Sequence, residues 1–211
     1  MKKLIALAFA SICAVPAFSQ VISVEAAPLD STYIAVDEDV YVGQAGPYSA
    51  FATGAFAQND DYQANLANTP YLAMPQFQVS KVVFVGGVTA VGGILDFFFL
   101  DNTGTTVVDS FGVSLPSAGD FIWTITLSPG IYADTDGRLQ IQNRTGTSGR
   151  WFFTSTAPIE GTNSVTVGTG SGLNPQRNQA FSLAAVPEPG TMIALGAGIA
   201  AIAARRRRNR K

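Results

Sequence analysis

From Pro75 onward the apolar positions of this chain fall into short runs, rich in Val, Ile, Phe, Trp and Thr and separated by turn chemistry. Phe77 to Val85, Ile94 to Leu100, Thr105 to Val113, Asp120 to Leu127, Arg138 to Gln142, Arg150 to Thr154, Asn163 to Val167 and Ala180 to Leu183 each read as a strand. In the fourth run Phe121, Trp123, Ile125 and Leu127 take one face and Thr124 and Thr126 the other, the alternation of a half-buried strand. Asp101-Asn102-Thr103-Gly104 and Asp134-Thr135-Asp136-Gly137 supply left-handed turn positions, and Ser128-Pro129-Gly130 sets a reverse turn. Upstream, the apolar pieces Tyr33 to Val36 and Asp39 to Val42 are punctuated by Gly46-Pro47 and Asn59-Asp60-Asp61. No central segment carries the period of a long amphipathic helix, so the predicted fold is all-β, a single β-sandwich over residues 20–185.

The two ends break this pattern. Lys2 and Lys3 precede an apolar stretch from Leu4 to Val15, and Ala17-Phe18-Ser19 places small residues where signal peptidase reads them. Residues 1–19 are therefore a predicted secretory signal peptide, cut before Gln20. Cys13, the single cysteine, lies inside it, so the mature chain has no thiol; Ile12 stands where a lipoprotein signal needs a small residue. At the other end, in residues 186–211, Pro187-Glu188-Pro189 is followed by an apolar run over 191–204 and a basic tail over 205–211. Fourteen residues make about 21 Å of helix, against a hydrocarbon core of about 30 Å. Snorkelling of the basic cluster and local thinning of the bilayer close that gap, and Arg205, Arg206, Arg207 and Arg208 act as a cytoplasmic stop-transfer charge. Export of everything upstream argues against nucleic acid as a partner for that tail.

Charge changes the picture once the end signals are set aside. Lys81, Arg138, Arg144, Arg150 and Arg177 face fourteen acidic residues between Gln20 and Val186, five against fourteen, which leaves −9. Such a surface disfavours nucleic acid and anionic polysaccharide and favours cations or neutral sugars. Histidine is absent, which removes a His-based triad and, with cysteine lost, the usual zinc and copper sites. Paired-carboxylate hydrolysis and calcium, which needs only oxygens, survive as chemistry.

Asp134 and Asp136 beside Gly137 are the calcium candidates, although the motif lacks a third alternate ligand and a distal bidentate acid, and an ordinary Asp-rich turn explains it better. Trp123 and Trp151 are the glycan-stacking candidates, although both sit inside apolar runs that predict burial. Gly168-Thr169-Gly170-Ser171-Gly172 lacks the lysine and helix of a phosphate loop. Glu25, Glu38 and Glu160 are too dispersed to nominate a glycosidase pair, so no catalytic residue and no required cofactor are assigned.

Pro187-Glu188-Pro189, the short Gly/Ala-rich segment and the terminal arginine cluster together resemble the PEP-CTERM sorting signal. The resemblance implies that exosortase, a membrane-embedded transpeptidase-like enzyme of polysaccharide-exporting bacteria, recognises Pro187, Glu188 and Pro189 as a substrate motif. The prolines fix φ and deny the backbone a helix, presenting Glu188 in an extended segment. Residues 79–168 also resemble, more diffusely, a jelly-roll-like ectodomain of PEP-CTERM proteins, through Leu95-Asp96-Phe97-Phe98-Phe99, the run from Phe121 to Leu127, and Arg150-Trp151-Phe152-Phe153. The expected protein is an exported, exosortase-sorted surface or extracellular-matrix component. Its expected role is structural or adhesive, with extracellular polysaccharide as a candidate partner. The alternatives are a carboxylate-dependent polysaccharide hydrolase and a calcium-dependent binding module.

Overall fold

The computed structural model describes residues 20–31, 39–43, 48–49, 57–65, 75–144, 147–154, 164–167, 173–174 and 178–186. Their regular structure is all β. The strands are β1 (Val21–Ala27), β2 (Asp39–Val42), β3 (Tyr48–Ser49), β4 (Ala57–Gln63), β5 (Gln76–Val88), β6 (Ile94–Asp101) and β7 (Val107–Ser114). They continue as β8 (Gly119–Asp134), β9 (Asp136–Asn143), β10 (Gly149–Trp151), β11 (Phe153–Thr154), β12 (Ser164–Val167), β13 (Leu173–Asn174) and β14 (Phe181–Ala185).

Two antiparallel sheets carry the fold, in the orders β1-β8-β5-β14-β2 and β13-β12-β4-β9-β6-β7, with β10 added to β5 and a small β3-β11 pair beside them. The pairing is nested: β6 meets β7, β5 meets β8, β4 meets β9 and β2 meets β14. A long antiparallel hairpin has been rolled up so that its successive pairs fall alternately into the two sheets, which is the jelly roll. The β14-β5 and β9-β6 contacts then close each sheet.

The alternation seen in the sequence sets the core. Leu95, Phe97 and Phe99 of β6 and Trp123, Ile125 and Leu127 of β8 point between the sheets and are buried. Phe97 stacks on Phe111 at 4.7 Å and meets the edge of Phe84 at 5.3 Å. Burying each such side chain stabilises by about 1.5–3 kcal/mol. The stretch from Val82 to Val85 is apolar on both faces because Val83 and Val85 meet Ile122, Phe152 and Ala180 in a second cluster outside the first sheet. Gly86 and Gly87 follow, and there glycine is required. A Cβ at Gly86 would lie 2.3 Å from Arg150 O, and one at Gly87 1.8 Å from Gly119 O.

Two expectations are corrected. Ser128-Pro129-Gly130 does not end the fourth run. Strand β8 passes through it, and its register against β5 shifts between Val79↔Ile131 and Lys81↔Thr126, an irregularity that accommodates the proline within the strand. Asn59-Asp60-Asp61 is likewise no separator but the middle of β4, paired residue for residue with β9. The signal peptide over 1–19 and the membrane segment over 191–204 lie outside the described residues; among the described residues no helix is long and apolar enough to cross a membrane.

Candidate functional site

The expected recognition segment begins where the first sheet ends. Strand β14 runs between β5 and β2, and its last contact beyond Ala185 is the Val186 N–H donating to Gln78 O at 2.8 Å. Pro187, next in the sequence, carries no backbone N–H that could extend such a ladder. Pro187, Glu188, Pro189 and the stop-transfer residues Arg205, Arg206, Arg207 and Arg208 lie outside the described residues.

The glycan-stacking expectation for the two tryptophans is overturned. Trp123 and Trp151 are both 0% exposed in the main core, and their indole N–H groups donate to Gly86 O at 2.8 Å and Ala180 O at 3.1 Å. Neither ring offers a face to a ligand, because burial of a large aromatic with a satisfied N–H outweighs exposure. The calcium candidates Asp134 and Asp136 flank the crossing from the first sheet to the second, where Thr135 N–H donates to Pro75 O and Thr135 O accepts from Ala64 N–H. Asp134 Oδ1 accepts from Gln76 Nε2 at 2.9 Å, whereas Asp136 Oδ2 accepts from Asn102 Nδ2 at 3.4 Å. Among the described residues no three acidic groups gather as a cation would need.

What the sequence did not reveal is a set of ion pairs laid across small residues. Arg150 sits opposite Gly87, and Gly87 opposite Asp120, so the Arg150 side chain crosses a position with no side chain to reach the carboxylate. Its Nε donates to Asp120 Oδ1 at 2.6 Å and its Nη2 to Oδ2, a bidentate pair. The guanidinium also lies over the Phe152 ring at 5.3 Å. Lys81 and Asp39 pair at 3.3 Å across Ala184 in the same manner. Arg144 and Asp96 pair over Gly112, where a Cβ would come within 2.7 Å of both. Residues 87, 120 and 150 meet only through strand register, so spacing alone gives no signal for the row. The Arg150–Asp120 pair, with Gly87, Gly119 and Gly149, lines a groove of about 280 Å³. A partly buried guanidinium and carboxylate side by side can donate to and accept from hydroxyl groups.

A second polar feature is closed to solvent. Asp60, on β4 and fully buried, accepts from the Gln179 N–H at 2.6 Å and the Asp61 N–H at 3.2 Å, while Gln179 Nε2 donates to Gln58 Oε1 at 3.1 Å. Burial holds the Asp60 carboxyl well above the usual carboxylate range, against the opposing pull of the Gln179 backbone donor. It joins the second sheet to the segment entering β14.

A jelly roll whose last central strand runs without a spacer into Pro-Glu-Pro, an apolar stretch and an arginine cluster defines an exported ectodomain closed by a C-terminal sorting signal. Residues 185–208 match the family model described as the PEP-CTERM protein-sorting motif, and the chain is a protein bearing that signal. The match opens at Ala185, the last residue of β14. It marks the protein as exported, surface-directed and a substrate for exosortase processing. Comparison with curated proteins gives no match.

Proposed function

We propose that this protein is a non-catalytic surface or extracellular-matrix component. A signal peptide delivers it, a C-terminal helix holds it in the membrane, and exosortase processes it at Pro187-Glu188-Pro189. Its ectodomain serves a structural or adhesive role and contacts extracellular polysaccharide, the neutral-sugar preference following from its excess of acids. The observation that carries this reading is the sorting motif over 185–208, abutting a folded sandwich. The glycan-facing surface in this reading is the Arg150–Asp120 groove, since the tryptophans are sealed in the core.

Intact-mass spectrometry of native protein from envelope and from culture medium, for wild type and Glu188→Ala, tests the reading. Loss of residues 1–19, with truncation near Pro187 in the wild type alone, is the expected result, and a C-terminal adduct would identify the attachment. Retention of Arg205 to Lys211 in both forms would reduce the tail to a simple anchor.

A further inference from the structure

The two ends of the ectodomain leave from the same place. Gln20, the first residue after the expected signal peptide, donates from Nε2 to Pro129 O at 3.4 Å, and Val21 pairs with Ser128. Val186, the last residue before Pro187-Glu188-Pro189, donates its N–H to Gln78 O at 2.8 Å, and Gln78 Nε2 donates to Gly130 O at 2.9 Å. Both tethers thus converge on Pro129-Gly130, near the Gln76–Asp134 end of the first sheet. The 102–106 turn lies at this end too, since Asp101 pairs with Gly137 and Asn102 reaches Asp136.

Strand β5 runs away from that end. From Gln76 to Val88 its 13 residues span about 40 Å at roughly 3.3 Å per residue. At its far end lie the Arg150–Asp120 groove and the 89–93 turn, where Val91 is 71% exposed. Between Val186 and the apolar run starting at Thr191 stand only four residues, two of them proline, which reach about 14 Å fully extended.

We propose that the precursor stands on the bilayer on its Gln78–Pro129–Gly130 end and presents the Arg150–Asp120 groove at the opposite pole, away from the membrane. The membrane surface is the partner of the first end. The inference rests on the proposed retention of the C-terminal segment in the membrane. It adds that the short tether and the shared exit fix which pole faces the lipid.

The absence of cysteine from the mature chain makes this measurable. Single cysteines at Thr103→Cys on the near turn, and at Val91→Cys or Ser117→Cys on far turns, are introduced into the full chain with Cys13→Ser and labelled with a fluorophore. The protein is reconstituted in phosphatidylcholine vesicles carrying a headgroup acceptor. Energy transfer from position 103 is expected to exceed that from 91 and 117 several-fold. Protein that floats with vesicles yet transfers equally from all three positions, or more from the far turns, overturns the orientation alone. Protein that fails to float overturns the membrane retention on which it rests. The two far positions check one another against a local effect of either substitution.

Discussion

Trp151→Ala separates a core role from a ligand-contacting role. The indole is fully buried, meets the edge of Phe181 at 5.6 Å and donates to Ala180 O. Truncating a buried Trp costs about 3–5 kcal/mol through lost burial and the cavity left behind. Ala180 O keeps a second donor, the Val85 N–H at 3.0 Å, so no carbonyl is orphaned and the hydrogen bond adds little to that figure. In a domain of this size each kcal/mol lowers Tm by about 2–4 °C, so a loss of about 4 kcal/mol lowers it by roughly 8–16 °C. Trp151→Phe keeps most of the ring and loses about 1–2 kcal/mol. The assay is thermal unfolding followed by far-UV circular dichroism, which does not depend on the indole signal, with polysaccharide co-sedimentation at a temperature where both variants are folded. A wild-type Tm in Trp151→Ala together with lost polysaccharide binding would refute the core assignment.

Three further outcomes follow from the polar groups. Because the folded Asp60 carboxyl is raised, its contribution to stability is fullest below the unfolded value near 4 and falls as pH rises through the folded value. Urea midpoints should therefore show Asp60→Asn gaining on wild type as pH climbs from about 4 toward neutral, and a gap independent of pH would contradict the burial argument. Asp101 is held at about 2 by the Thr105 N–H, with the Thr103 hydroxyl and Thr106 N–H also donating. Its contribution is present above the unfolded value near 4 and is lost as pH falls toward 2; Asp101→Asn should remove that acid-side loss, and an unchanged pH profile would count against the assignment. Calcium should leave Tm unmoved, since Asp134 and Asp136 turn to separate partners; a rise that disappears in Asp134→Ala would install a cation site at the β8–β9 crossing.

The parts of this structure legible in the sequence are those set by local pattern. Leu95, Phe97 and Phe99, or Trp123, Ile125 and Leu127, announce their faces by alternation, and Pro187-Glu188-Pro189 is a linear signal that needs no fold to be read. Strand β4 was hidden because Asn59-Asp60-Asp61 has the composition of a turn, and what keeps it in a strand is β9 together with the Gln179 N–H, 119 residues away. Strand β1 was missed among mixed residues, since its place comes from an unbroken ladder with β8. The Arg150–Gly87–Asp120 row depends on three strands meeting in register, which no spacing rule encodes.

The central place of β14 also governs how the domain bears load. It is hydrogen-bonded on both sides, to β5 and to β2. Detaching β14 under tension on the C-terminal tether therefore requires breaking two ladders, whereas an edge strand is held by one. The same placement limits how the protein can be shed. A protease cutting inside Phe181–Ala185 does not free an intact sandwich but breaks the strand that joins β5 to β2. Release of a folded domain is confined to bonds after Val186, where Pro187-Glu188-Pro189 begins.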